Sequence, residues 1–314
     1  MLRVVMGRLT SAVPLILLIT VGTFCLGLLM PGDQAYAIAG EDARPEQIEQ
    51  IRRDLNLDEA PPVRYVQWLG DAVTGDLGVS TSTRRPVWDE MVRRWPVTAS
   101  LAVTSLLLSF LIGIPLGIAQ GMRPGSKLDK GLLGLVSLGL ATPGFWLATM
   151  FVFLFSVQMN WLPAMGYVPI EDDPVEWARH IAMPAFTLSI VGAAEIARQL
   201  RTGLIGVVQE DYIRAAGARG LSPLRVMGKH ALRNASLPAL TIVGLRVGHL
   251  LAGSVIIEQI FQYPGLGSYT LAAVQDRDFI VVQGVVLAIA VIVITVNLAV
   301  DLLYYWLNPK VRLA

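Results

Sequence analysis

Charge is scarce in this chain, and so are the residues that usually form disulfides and metal sites. Only 16% of the 314 residues are Asp, Glu, Lys or Arg, and the formal net charge is +1. Without a strong positive charge, we expect no nucleic-acid partner. The single cysteine, Cys25, excludes an intrachain disulfide. The histidines His180, His230 and His249 lie in separate segments without the spacing of a metal site.

A phosphate-binding loop is missing as well. The nearest fragment of the G-x-x-x-x-G-K-[ST] pattern, Gly125-Ser126-Lys127, lacks the upstream glycine. The sequence therefore contains no ATP site of the Walker type. If ATP drives the work of this chain, another subunit must bind the nucleotide.

Long apolar runs are abundant. Hydrophobic residues make up 54% of the chain and gather in blocks of about 20 residues, the length of a helix that crosses the hydrocarbon of a bilayer. We therefore predict an all-α integral membrane protein with six transmembrane helices. The six blocks are residues 9–30, 97–120, 131–157, 181–197, 238–257 and 281–306.

The first block also resembles a secretory signal. Arg3 and Arg8 precede it, and an A-x-A triplet, Ala35-Tyr36-Ala37, follows it. The block is longer than the roughly 7 to 15 apolar residues of a signal core. We therefore favour an uncleaved first transmembrane helix.

Basic residues in the short loops predict the orientation. Lys and Arg are concentrated in residues 121–130, in residues 201–237 and in the C-terminal tail, whereas acidic residues outnumber them in residues 160–180 and 259–280. Basic loops of this kind face the cytoplasm. The prediction is a multi-pass protein of the cytoplasmic (inner) membrane with both termini in the cytoplasm.

Three regions follow from this topology. Residues 1–30 hold the N-terminus and the first span, residues 31–96 form a long extracytoplasmic loop, and residues 97–314 form a domain of five spans. The long loop contains two amphipathic patterns that predict short helices. Such helices would lie on the membrane or on a partner, or would pack on the outer surface of this protein, and the sequence leaves both alternatives open.

The cytoplasmic loop 201–237 has the pattern of a helix, a turn and a second helix. Residues 212–218 are good helix formers, and Gly220 can close the first helix in a left-handed conformation. Ser222 can then cap a second helix with Pro223 at its first position, ending near residue 234. The loop is thus predicted to be structured.

Small side chains leave one face of that first helix nearly bare. Ala215, Ala216 and Gly220 form this face, which suits a helix that lies in a groove of another protein. The pattern R-A-A-x-x-x-G resembles the EAA loop of binding-protein-dependent ABC importer permeases, whose short coupling helix docks on a cytoplasmic ATPase. Arg214 replaces the usual acidic residue, and the Leu-Pro that follows the motif comes late, at residues 237–238.

The resemblance extends along the whole chain and is strongest to the dipeptide, oligopeptide and nickel permease branch of that family. Besides the loop DYIRAAGARGLSPLRVMGKHALRNASLP, it is carried by ATPGFWLA, IFQYPGLGSYTLAAVQDRDFIVVQG and NLAVDLLYYWLNPKVR. The long loop after the first span is similar to that of the first of two paired permeases.

The resemblance implies a transport subunit without a catalytic site and without a cofactor of its own. This subunit would form half of the path for peptides delivered by an extracytoplasmic binding protein. The implied partners are that binding protein, a second homologous permease, and two ABC ATPases that bind ATP and Mg²⁺. The coupling residues that the resemblance implies are Tyr212, Arg214, Ala215, Ala216, Gly220, Leu221, Ser222 and Pro223.

Ionisable residues inside a span indicate function by default, because charge in hydrocarbon is costly. Arg246 lies well inside the fifth span, and His249 is about one turn further on. We name both as candidates for a translocation path, and structural pairing within the protein is the alternative. Pro143, which would kink the third span, is the third candidate for this path.

Small residues at four-residue spacing predict close contacts between helices at two places. Gly113, Gly117 and Gly121 recur along the second span, and Gly244, Gly248 and Ala252 recur along the fifth. Small residues at this spacing let two helix backbones approach closely. The neighbour would be another span of this chain or a partner permease.

Two other functional classes fit less well. An ion-coupled secondary transporter would use Arg246 and His249 as a relay, but the six spans show no internal repeat. An intramembrane serine protease would need Ser222 buried beside a base, whereas Ser222 lies in a basic loop where helix capping explains it. The solute stays open among dipeptides, longer peptides, nickel chelates and related small molecules.

Overall fold

The structure, a computed structural model, describes residues 2–29, 34–39, 43–54, 56–220, 222, 226–232 and 237–307. Within these ranges the chain is helical and contains no β-strand, and the single isolated β-bridge pairs Val79 with Pro86. The predicted all-α class is confirmed. The α-helices are α1 (Leu2–Leu28), α2 (Gln34–Ala39), α3 (Pro45–Asp54), α4 (Pro61–Val73), α5 (Val87–Met122), α6 (Lys127–Ala141), α7 (Gly144–Phe151), α8 (Pro174–Val208), α9 (Asp211–Ala218), α10 (Leu237–Ile260), α11 (Leu266–Gln275) and α12 (Phe279–Leu307). Two π-helical segments, Val152–Gln158 and Val226–Ala231, follow α7 and α9.

Several of these helices can cross a membrane. In the described part of the chain, α1, α5, α8 and α12 are long and apolar enough, and the bent pair of α6 and α7 makes a fifth if it is one span. Helix α10, which corresponds to the fifth predicted span, contains a shorter apolar stretch, Val247–Ile260. The number six therefore remains a prediction.

The third predicted span, 131–157, is broken rather than kinked. Helix α6 ends at Ala141 and α7 starts at Gly144, and the two halves meet at an angle of 98°. Thr142 and Pro143 between them have extended backbone, with ψ of 125° and 133°. A residue before proline is pushed out of the helical region, and this explains why the helix stops at Thr142.

Two helices are longer than their apolar cores. Helix α5 begins at Val87, with Asp89 and Glu90 in its first turn, before the predicted start at residue 97. Helix α8 begins at Pro174, because the carboxylate of Asp173 accepts hydrogen bonds from the amides of residues 175 and 176 at 2.9 and 3.0 Å. Hydropathy finds the part of a helix that lies in hydrocarbon, and it misses these polar extensions.

The chain divides into two compact units. The larger unit comprises Ala99–Tyr263 and the chain from Thr295 onward, and the smaller unit comprises Leu2–Thr98 and Pro264–Ile294. Each unit combines segments that are distant in sequence, so the units do not test the predicted division into regions 1–30, 31–96 and 97–314. That division remains a prediction.

The larger unit is built around α8, which packs against α6, α7 and α10. Helix α5 lies against α8 through the predicted glycines. A Cβ atom placed on Gly113 would be 2.6 Å from the carbonyl oxygen of Ala193, and one placed on Gly117 would be 2.9 Å from that of Ala197. These two glycines thus face a neighbour within the chain, and the backbones touch because no side chain separates them.

The smaller unit has its own apolar core, which joins Leu77 and the start of α5 to α11 and the start of α12. Thr98 adds a buried polar contact, because its hydroxyl accepts the amide hydrogen of Leu266 at 2.8 Å. The core residues are Leu77, Val87, Met91, Leu266, Tyr269, Ala273, Val281 and Val285.

Candidate coupling site and translocation path

A buried ion pair joins α6 to α8, the helix on which the predicted coupling helix lies. The carboxylate of Asp129, a residue only 1% exposed, accepts hydrogen bonds from Nε and Nη2 of Arg201 at 2.7 and 2.8 Å. The amide of Gly125 donates to the same carboxylate at 2.8 Å, and Ser126 caps α6 by accepting from the amide of Asp129 at 3.1 Å. This bidentate pair ties the start of α6 to α8.

Helix α9 is seated on the end of α8 by one apolar side chain. Ile213, 7% exposed, packs with Leu200 and Leu204 of α8 and with Ala231 of the second π-helical segment. Helices α8 and α9 and the π-helical segment all contact one another. A force on α9 therefore acts directly on the apolar end of α8.

The opposite face of α9 is exposed. Tyr212 and Ala215 lie at helical spacing on this face, Arg219 follows directly after the end of the helix, and all three are exposed. Ala215 stands between two larger side chains, and the bare face of Ala215, Ala216 and Gly220 remains a prediction. The backbones of Arg214 and Ala216 belong to α9, but their side chains lie outside the described part of the structure.

The turn after α9 has the predicted left-handed glycine. Gly220 has φ of +79°, and a Cβ atom added to it would meet no other atom within 4 Å. The requirement for glycine is therefore one of backbone conformation and not of space. Ser222 is exposed, and its carbonyl accepts the amide of Val226 at 3.0 Å. Leu221 and Pro223 lie outside the described residues.

An exposed serine at this position does not suit a protease. A serine nucleophile would need to be buried at membrane depth beside a base, whereas Ser222 is exposed and precedes the π-helical segment Val226–Ala231. The second predicted helix is described only as the π-helical segment Val226–Ala231, and its predicted end near residue 234 lies outside the described residues.

The three candidates for the translocation path are all in the larger unit. Pro143 lines an apolar groove of about 720 Å³ together with parts of α5, α6 and α8. Thr142 is the only aliphatic hydroxyl in its lining, so the groove suits a lipid chain or an apolar protein face better than a peptide in water. His249 is exposed on α10. The side chain of Arg246 lies outside the described part, and the path remains a prediction.

A second polar anchor, in the smaller unit, was missed by the sequence analysis. The carboxylate of Asp278, 0% exposed, accepts hydrogen bonds from the hydroxyl of Ser80 at 2.6 Å and from the amide and hydroxyl of Ser82 at 3.2 Å. Asp278 thereby fixes the loop that runs between α4 and α5. The partners are 198 positions apart in sequence, and no local pattern could have paired them.

Charge is also concentrated near Tyr269 in the smaller unit. Buried Glu90 accepts hydrogen bonds from Arg85, Arg93 and Arg94, and the guanidinium of Arg94 lies 4.7 Å from the centre of the Tyr269 ring. Burial, together with the charge of Asp278, raises the pKa of Tyr269 to about 12. The phenol is therefore neutral at physiological pH.

The described residues contain no group of three or more His, Cys, Asp or Glu side chains that could hold a metal ion. The architecture is that of helices packed around α8 with a short exposed helix on its end. Comparison with known proteins assigns the chain to a family. Residues 113–313 match the family of binding-protein-dependent transport system inner membrane components, and residues 1–102 match the N-terminal region of such components.

The chain belongs to this family. It is therefore a permease subunit of an ABC transporter and an integral protein of the inner membrane. The permease is 39% identical over 312 residues to a relative from Brucella abortus (strain 2308) named as a peptide transport system permease protein, with 99% of both chains covered. It is 38% identical over 336 residues to the dipeptide transport system permease protein of Escherichia coli (strain K12), again with 99% of each chain covered.

A solved structure shares the fold of this permease. A chain from the inward-facing MetNI methionine ABC transporter aligns with a TM-score of 0.55 at 19% identity, covering 69% of this chain and 96% of that chain. The family resemblance seen in the sequence is confirmed. At this identity the solved structure supports the fold alone.

Proposed function

We propose that this permease is the transmembrane subunit of an ATP-driven importer of short peptides, dipeptides or oligopeptides. An extracytoplasmic binding protein delivers the peptide, a second homologous permease forms the other half of the path, and two ATPases bind and hydrolyse ATP. The observation that carries the proposal is the alignment with peptide and dipeptide permeases at 38% to 39% identity over nearly the whole of both chains. Nickel chelates, the alternative solute, are favoured by none of these relatives.

In the proposed topology six helices cross the membrane and both termini are cytoplasmic. The apolar lengths of α1, α5, α8 and α12, the bent pair α6 and α7, and helix α10 supply the six crossings. The basic residues of 121–130 and 201–237 then face the cytoplasm, together with α9.

Helix α9 is the proposed contact with the ATPase. Its exposed face carries Tyr212 and Ala215, and exposed Arg219 follows its end, while Ile213 on the other face holds it against α8. Such a helix can fill a groove without losing its own packing. Arg214, which replaces the usual acidic residue, is assigned to the same contact, because arginine can form a bidentate bond with a carboxylate of the ATPase.

Motion would pass from α9 into the membrane through packed side chains. Ile213 contacts Leu200 and Leu204 near the end of α8, a helix of 35 residues that is about 50 Å long at the rise of an α-helix. Gly113 and Gly117 of α5 lie directly on α8, so α5 must follow it. Closure of the ATPases would in this way shift the membrane domain from one of its two conformations to the other.

ATP-driven uptake of a labelled dipeptide into proteoliposomes tests the proposal. The vesicles contain the permease, its partner permease and both ATPases, and the binding protein is added outside. We expect uptake that requires ATP and the binding protein and that a nickel chelate does not inhibit. Uptake driven by an ion gradient without ATP would contradict the proposal.

The proposed contact between the exposed face of α9 and the ATPase is tested in the same vesicles by Ala215→Trp. The bulky ring should block docking and abolish stimulated ATP hydrolysis, although the exposed position leaves the fold unchanged. Ala272→Trp is the matched control, because Ala272 is an exposed alanine on α11, away from α9 in the chain. Equal hydrolysis by both variants would show that α9 is not the contact.

A further inference from the structure

Helix α4 belongs to the long loop after the first span, and one of its flanks is apolar and uncovered. Val63, Val66 and Val73 share this flank, and their side chains are 48%, 66% and 82% exposed. Gly70 lies on the same flank and is exposed as well. These four residues fall within about 80° of one another at about 100° per residue. The valines therefore form one apolar stripe that the described part of the smaller unit leaves uncovered.

The opposite flank of α4 is polar. Gln67 and Asp71 are exposed on it, and the side-chain amide of Gln67 donates a hydrogen bond to the carboxylate of Glu59 at 2.8 Å. Arg64, Gln67 and Asp71 also line a cavity of about 550 Å³ whose wall includes Asp76. Charged and amide groups are costly to remove from water. This flank is therefore suited to water, and the valine flank is not.

The face between the two flanks holds α4 against the last part of α1. The hydroxyl groups of Tyr65 and Thr20 share a hydrogen bond of 2.8 Å, and the ring centres of Tyr65 and Phe24 are 5.5 Å apart. Both Thr20 and Phe24 lie inside Val5–Leu28, the stretch of α1 that is long and apolar enough to cross a membrane. They precede the end of this stretch by about 12 and 6 Å along the helix. Helix α4 therefore lies beside the membrane-crossing part of α1 and not beyond it.

Helix α3 of the same loop has the pattern of a helix in water. Its isoleucines are covered, since Ile51 is 7% exposed and Ile48 is half-buried. Its exposed positions after Pro45 are all polar, namely Glu46, Gln47, Glu49, Gln50 and Arg53. The loop thus contains one helix with its apolar side chains covered and one helix with an apolar flank left exposed.

We propose that α4 is an interfacial helix and that its valine flank lies among the acyl chains of the bilayer, close to their headgroups. Helices of this kind bury their apolar face about 5 to 10 Å into the boundary between headgroups and acyl chains. The contact of Tyr65 with Phe24 falls in this range of depth. Val21 and Leu28 of α1, next to that contact, are also exposed. The valine flank of α4 continues this apolar surface of α1 at the same depth.

An interfacial α4 requires only that the chain crosses the membrane, and it depends on neither the solute nor ATP. In the topology proposed above, the leaflet concerned is the outer one. The long loop is then anchored at two places. Asp278 holds it to the protein through Ser80 and Ser82, and α4 holds it to the lipid.

Spin labels on exposed residues of the loop test this contact. The complex of both permeases and both ATPases is placed in phosphatidylcholine liposomes. This chain carries Cys25→Ser, because Cys25 is its single cysteine, and the partner subunits used lack cysteine. A nitroxide is attached in turn at Val66→Cys, Val73→Cys, Asp71→Cys or Gln50→Cys. Power saturation then gives the ratio of its collisions with oxygen, which dissolves preferentially in hydrocarbon, to its collisions with chromium oxalate, which stays in water.

This collision ratio should be severalfold higher at Val66 and Val73 than at Gln50, the control on α3. Asp71 is the matched control on α4 itself, because it is exposed on the polar flank, and its ratio should be close to that of Gln50. Equal ratios at all four positions would overturn the contact with lipid. High ratios at Asp71 as well as at Val66 would overturn the two flanks, since the whole helix would then lie in hydrocarbon.

Two further outcomes separate lipid from a protein partner. If chromium oxalate reaches Val66 until the binding protein is added, the valine flank is a site for the binding protein and the lipid assignment is wrong. If the label at Val66 is immobilised and neither reagent reaches it, the flank is covered by the second permease, and the assignment is wrong as well. Peptide uptake is measured in the same liposomes. Absent uptake with the contrast between Val66 and Gln50 intact would contradict the importer and support the interfacial helix.

Discussion

Two contacts, one in each unit, are stabilised by opposite means. In the larger unit, α5 and α8 touch through glycines, and there is no room for a side chain between them. A Cβ atom on Gly113 would lie 2.6 Å from the carbonyl oxygen of Ala193. In the smaller unit, one buried carboxylate at Asp278 gathers three donors from a loop 196 to 198 positions away. The first contact should fail when atoms are added, and the second should fail when charge is removed.

The largest effect on stability is expected at the buried ion pair of the larger unit, between Asp129 and Arg201. Asp129→Asn breaks the buried pair with Arg201 and should lower the free energy of unfolding by about 3 to 5 kcal/mol, because a charge is left without its partner. The measurement is thermal unfolding of the detergent-solubilised protein. Glu176→Gln is the control: that carboxylate pairs with Arg179 at 2.6 Å, but their side chains are 38% and 48% exposed, so about 0 to 1 kcal/mol is expected. Equal losses would show that burial does not decide the outcome.

Added volume should be the next most damaging change. Gly113→Ala places a methyl group 2.6 Å from the Ala193 carbonyl oxygen and 2.9 Å from Cβ of Ile196, so α5 and α8 must move apart. Overpacking of this kind costs about 1 to 3 kcal/mol.

The control for this change is Gly134→Ala. A methyl group there meets no atom within 4 Å, and alanine favours a helix. Thermal unfolding should therefore fall for Gly113→Ala and stay level or rise for Gly134→Ala. A level result for both would mean that α5 and α8 do not depend on close backbone contact.

Periodic and local signals explain what the sequence could predict. The apolar runs located the cores of α5 and α8, and the spacing of Gly113 and Gly117 predicted their contact. The helix formers of residues 212–218 and Gly220 predicted a short helix with a left-handed end. Each of these signals is carried by residues within a few turns of one another.

Signals that depend on tertiary structure could not be read in this way. Pro143 indicated a disturbed helix, but the choice between a kink and a bend of 98° depends on what packs around it. The link between Ser80 and Asp278 and the contact between Tyr65 and Thr20 join distant parts of the chain. The start of α8 was within reach, because Asp173 followed by Pro174 is a helix-start signal, but hydropathy alone passed over it.

A smaller effect should follow when the smaller unit loses its charge. Asp278→Asn keeps an oxygen that can accept a hydrogen bond but removes the charge that Ser80 and Ser82 share, and we expect a loss of about 1.5 kcal/mol. Hydrogen exchange should show faster exchange in residues 76–86. Asp276→Asn is the control, because Asp276 is exposed and only two residues away. Unchanged exchange in Asp278→Asn would show that the carboxylate does not anchor this loop.

The smallest effect on stability, and the most selective effect on transport, is expected at Gly220. Neither Gly220 nor Gly228 has an atom within 4 Å of an added Cβ, but only Gly220 has a positive φ, +79°. Gly220→Ala should therefore add about 1 kcal/mol of strain to the turn while the turn keeps its conformation, whereas Gly228→Ala adds no strain of this kind. The strain is relieved if the end of α9 shifts, and a shifted α9 would no longer present Ala215 to the ATPase. We expect membrane insertion and thermal unfolding of Gly220→Ala close to wild type, with ATP-driven peptide uptake reduced and ATP hydrolysis uncoupled from it. Gly220→Val should give the same result more strongly. Normal uptake in Gly220→Val would remove α9 from the coupling pathway, whereas loss in Gly228→Ala as well would assign the effect to the whole loop and not to the left-handed turn.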